Sequence, residues 1–84
     1  MKELADKIQA FMYCSYNDPA EYVTEEWLKD KTNLETIIKI LSYSIADDLK
    51  GLADGIYDED DAFGITVNVE WDFELLKALK QINA

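Results

Sequence analysis

The sequence contains no histidine and no arginine, one cysteine (Cys14), one proline (Pro19) and three glycines. Without histidine, chemistry that uses an imidazole as base, nucleophile partner or metal ligand is excluded by composition. A lone cysteine cannot close an intramolecular disulfide, and Cys14 is expected as a small buried apolar residue. No apolar run approaches the ~18–20 residues of a membrane span. Glu3, Asp6, Lys7 and Gln9 interrupt any signal-peptide core behind Met1-Lys2. These absences predict a soluble, cytoplasmic protein.

Positive charge is also scarce. Eight lysines face 18 Asp and Glu, a net charge of −10 in 84 residues. Binding nucleic acid through its phosphates needs clustered Lys and Arg, so direct nucleic-acid binding is excluded. The length allows a single small domain, 1–84, with one modest core. With 49% hydrophobic residues there is enough apolar material to form it.

The apolar spacing predicts an α+β, mainly helical fold. Leu4, Ile8, Phe11 and Met12 mark one face of a helix over about 2–15. Asp18-Pro19-Ala20-Glu21 reads as a cap and first turn, predicting a helix over about 19–30. Thr32 is the expected cap of a long helix over about 33–53. Its stripe is Leu34, Ile37, Ile38, Leu41, Ile45, Leu49 and Leu52, with Gly55 or Gly51 as its stop. At Phe63 the period changes to two. Phe63, Ile65, Val67, Val69 and Trp71 alternate with Gly64, Thr66, Asn68 and Glu70, predicting an amphipathic strand over 63–71. Asp72 then caps a last helix over about 73–82. One strand cannot satisfy its own ladder. It needs a hairpin stub at 55–57, the same strand in a second copy (a homodimer through 63–71), or an edge on another protein.

The charge is uneven. Between Ile40 and Leu76 lie ten acids and only Lys50, which places nearly all the excess negative charge in less than half of the chain. Asp47, Asp48 and Asp54 fall near the C-terminal end of the third helix, where the macrodipole favours cations. Asp58, Glu59, Asp60 and Asp61 form a four-acid run in the expected loop, and neutralising them is expected to leave folding intact or improve it slightly. Residues that break a local rule without local benefit are candidates for function. Asp47, Asp48, Asp54, Tyr57, Asp58, Glu59, Asp60 and Asp61 are therefore the candidate partner-binding residues. Tyr43 and Tyr57 are expected on the surface, as protein interfaces favour. Phe11, Trp27, Phe63, Trp71 and Phe73 are expected in or beside the core.

Catalysis is not expected. An EF-hand loop starting at Asp58 fails at its fifth, sixth and twelfth positions, which are Ala62, Phe63 and Val69. Asp48-Leu49-Lys50 matches the acid-x-Lys end of some nuclease sites, but on a helix with no strand to align carboxylates on a metal. No cofactor or metal is assigned. The composition favours an acidic inhibitor that occupies the basic groove of a nucleic-acid enzyme by charge mimicry. Its bulk properties are similar to those of phage and mobile-element counter-defence proteins of the anti-restriction and anti-CRISPR type, a likeness of composition with no shared motif. An immunity protein against a basic toxin and a non-catalytic adaptor module are the alternatives.

Overall fold

Residues 1–83, described by a computed structural model, form four helices and no strand: α1 (Lys2–Tyr16), α2 (Glu25–Leu28), α3 (Lys31–Asp54) and α4 (Glu59–Asn83). The expected α+β class is therefore wrong, and the described chain is all-helical. Residues 63–71 lie inside α4, so no strand edge exists for a hairpin stub or for dimerisation through that segment.

The helical alternative was present in the sequence. Ala62, Ile65, Val69, Asp72, Leu76, Leu79 and Asn83 recur at steps of three and four, and each is buried or partly buried. Asp72 stands in the middle of that seam and hides it from a reading based on apolar residues. The β-branched residues and Gly64 disfavour a helix by at most about 1 kcal/mol each. A helix closes its own hydrogen bonds, whereas an unpaired strand leaves them open. Packing along α3 then settles the outcome.

The second expected helix also shrinks. Asp18 Oδ1 accepts the Ala20 N–H at 2.9 Å, and Ala20 takes a left-handed conformation (φ 51°), which turns the chain instead of starting a helix. Thr24 caps the short α2 by accepting the Trp27 N–H at 3.2 Å. Asp30, rather than Thr32, caps α3, accepting the Thr32 N–H at 2.8 Å. Asn33 Nδ2 donates to the Trp27 carbonyl at 3.0 Å and fixes α2 against the start of α3.

Gly55 ends α3 with φ 68°, and the Ile56 N–H reaches back to the Gly51 carbonyl at 3.3 Å. Gly51 has a different task. A Cβ there would lie 2.7 Å from Tyr57 Cε2, so the missing side chain makes room for the tyrosine ring. The linker 55–58 returns the chain into α4, and the two long helices pair as an antiparallel hairpin. Twenty-five residues of helix reach about 37 Å, close to the 40 Å long dimension of the molecule.

The core gathers Ala5, Ile8, Phe11 and Met12 from α1, Ala20, Val23 and Leu28 around α2, Leu34, Ile37, Leu41 and Ile45 from α3, and Val69, Leu75 and Leu79 from α4. The expected stripe of α3 holds as far as Ile45, whereas Leu49 is exposed. Residues 46–68 contribute no buried apolar side chain. The distal half of the hairpin therefore extends as an arm beyond the part that α1 and α2 cover.

Candidate functional site

All eight candidate residues fall between 47 and 61, on the last turns of α3, the linker and the first turn of α4. The fold brings Asp54, Tyr57, Asp58, Glu59, Asp60 and Asp61 to one end of the molecule, the tip of the arm, whereas Asp47 and Asp48 stand about two turns back along α3. The fold does not line the eight up on one face. Successive helical residues are separated by about 100°, so Glu59, Asp60 and Asp61 point in three directions around α4. Asp47 and Asp54, seven residues apart, share one side of α3 at about 10 Å along its axis.

Several of these acids have local roles after all. Asp58 Oδ1 accepts the Asp61 N–H at 2.8 Å, the geometry of a helix N-cap. Glu59, Asp60 and Asp61 form the first turn of α4, where the macrodipole favours negative charge. The expected acidic loop is thus a helix start, and these acids stabilise it. Asp58→Ala is expected to destabilise the fold by about 1 kcal/mol, read from urea unfolding followed by helical ellipticity. A change below about 0.3 kcal/mol would remove the cap from the account. The expectation that neutralising 58–61 leaves folding untouched is corrected accordingly. Asp54, at the unfavourable end of α3, is paired with Lys50 at 2.9 Å. Tyr57 is partly buried against Gly51 rather than presented to solvent.

Asp48 is different. It is partly buried, and burial followed by the Asp47 charge raises its pKa. Across the helix pair lies Asp72, which the sequence reading placed as a cap. It stands mid-helix in the apolar seam, where burial and then the Asp48 charge push its pKa up to about 6. Neither carboxylate has a cationic partner among the described residues. Asp72 is the residue that sequence reasoning missed. The signal was the three-four series on both sides of it.

Beside this pair, α1 and α4 enclose a groove of about 750 Å³. Leu4, Phe11, Leu75 and Ala78 supply apolar wall, Asp48 and Asp72 line it, and Trp71 stands at its edge. Cys14 also lines the groove and is exposed, contrary to expectation. The aromatics divide likewise. Phe11 is buried and Trp27 packs against the core, but Phe63 (72% exposed), Trp71 (74% exposed) and Phe73 face solvent. Tyr43 is exposed as expected.

No family model, curated protein or solved structure matches this chain. Any reading of its role therefore stands on the residues themselves. Among the described residues, no helix is long and apolar enough to cross a membrane. No three carboxylate or thiol groups among them converge as metal ligands would.

Proposed function

We propose that the protein is a non-catalytic, cytoplasmic inhibitor whose acidic arm enters the basic nucleic-acid groove of an enzyme and holds nucleic acid out. The observation that supports this reading is the concentration of Asp54, Asp58, Glu59, Asp60 and Asp61 at the end of the two-helix hairpin, with Asp47 and Asp48 about two turns behind them on α3 and only Lys50 opposing the group. A protruding negative tip is complementary to a concave positive cleft. Long-range attraction would speed its association and make binding fall with salt. Because the acids wrap around the tip, the match is to a cleft that surrounds it rather than to a single row of phosphate contacts. An immunity protein that blocks a basic toxin would use the same physics and differs only in its target.

The test is to immobilise the protein, pass over it the lysate of its source and elute with a salt gradient. Recovery of one nucleic-acid enzyme, released by salt and displaced by DNA or RNA, is the expected result. Joint replacement Asp58→Asn, Glu59→Gln, Asp60→Asn and Asp61→Asn should slow association with that enzyme by about tenfold or more, because steering charge is lost. The Asn at 58 retains a capping oxygen, and helicity measured alongside separates lost binding from lost fold. An association rate unchanged by the four replacements would overturn the reading.

A further inference from the structure

The groove between α1 and α4 points to what the partner must offer besides positive charge, and this rests on the reading of the protein as an inhibitor of a basic enzyme. The groove runs from Asn68 to Ala78 along α4, about 16 Å, the length of three helical turns. Its walls are largely apolar. It continues onto an uncovered face of α4, where Phe63, Val67 and Trp71 follow one another at steps of four and lie on one side of the helix. Asp60, Glu70 and Glu74 flank that stripe, and α4 carries no lysine before Lys77. On the α1 side, Lys7 is engaged by Glu3 at 3.4 Å. The surface is thus apolar along its middle and negative at its borders.

A second copy of this chain would set carboxylates against carboxylates, with a net charge of −10 on each molecule. A bare basic strand would leave Phe63, Trp71 and the apolar walls in water. A helix with one apolar ridge and flanking cations satisfies both parts of the surface. We propose that the groove between α1 and α4, with the Phe63–Val67–Trp71 stripe, docks an amphipathic helix of the partner bearing Lys or Arg beside its apolar ridge. Its ridge packs against Leu75, Ala78 and Trp71, and a cation sits over Asp48 and Asp72. Trp71 also offers an exposed ring face to a guanidinium or ammonium group. Burial first and the Asp48 charge second raise the pKa of Asp72, and a docked cation would offset the second of these.

The probe is a synthetic 18-residue peptide of Lys and Leu, with Leu at helical i, i+3, i+4 and i+7 spacing. Its control has the same composition with the leucines distributed around the helix. Binding is read by calorimetry and by Trp71 fluorescence in a Trp27→Phe background. The patterned peptide should bind about tenfold or more tightly than the control and shift Trp71 emission to the blue. Trp71→Ala, at an exposed position outside the core, should weaken binding by about tenfold or more. Asp72→Asn should weaken it several-fold while making the fold more stable, so that weaker binding cannot be ascribed to unfolding.

Equal affinity for the two peptides, full binding by Trp71→Ala, or a stable dimer with the stripe buried would each overturn the proposal. The four-residue replacement at 58–61 should weaken peptide binding by less than Trp71→Ala does, because those residues lie outside the groove and of them Asp60 alone borders the stripe. Failure of the groove and failure of the arm are therefore read from different variants.

Discussion

Leu41→Ala should destabilise the protein by about 2–5 kcal/mol, the largest single-residue effect expected here. Leu41 is fully buried (0% exposed) at the middle of α3, in one cluster with Ile8, Phe11, Ile37 and Leu79. Truncation removes the transfer free energy of three carbons and leaves a cavity that three surrounding helices can close only in part. For a domain of this size, each kcal/mol lowers the melting temperature by about 4–8 °C. Urea unfolding and a thermal scan followed by ellipticity both read it. A loss under about 1 kcal/mol would mean that α3 does not seat this face in the core. Leu49→Ala, at the exposed continuation of the same stripe, should change stability by less than about 1 kcal/mol. The pair of variants locates where the covered half of the hairpin ends.

The second large effect concerns pH. Asp72 has a pKa of about 6 in the folded protein, against an ordinary carboxylate value of 3.8. Its folded-state pKa is raised, so the fold favours the protonated form. That contribution is fully present below pH 4 and is lost as pH rises through about 6. A shift of this size would correspond to nearly 3 kcal/mol for a shielded group, or about 1–2 kcal/mol once solvent access to this partly exposed carboxylate is allowed for. Asp48, raised by burial and by Asp47, contributes in the same direction.

Comparison with Asp72→Asn isolates the Asp72 term, because the other carboxylates are common to both proteins. The variant should be more stable at pH 7 by about 1–2 kcal/mol and converge with the parent near pH 4. Parallel pH profiles would show that Asp72 is solvated like any surface carboxylate. An acid in an apolar seam with no cationic partner among the described residues breaks a local rule without local benefit, which marks a candidate functional residue. That is why Asp72, beside Asp48, gives the groove its interest.

Much of the helical part of the fold was legible in the sequence. Leu4, Ile8, Phe11 and Met12 placed α1 to within a residue at its far end, and the run from Leu34 to Ile45 placed the central helix and its buried face. Gly55 was legible as a stop because a left-handed residue there needs no Cβ. The segment 63–71 was not, because it satisfies two periods at once. Its alternation is conspicuous, whereas its three-four series passes through a carboxylate. The acidic residues were legible as a cluster. Their local roles were not, since Asp58 becomes a cap only once α4 begins at Glu59.

Composition and order along the chain by themselves determined the charge, its concentration between residues 40 and 76, the absence of imidazole chemistry and the core stripe of α3. These are properties of a residue and its near neighbours, and they survive any arrangement of the elements. Tertiary structure alone decided that α4 is one continuous helix, that its first-turn acids meet Asp54 of α3 at one tip, and that Asp48 and Asp72 become neighbours across two helices. It also decided that Phe63 and Trp71 remain in solvent. Each depends on which surface is covered by another part of the chain, and α1 and α2 are long enough to cover only one half of the hairpin.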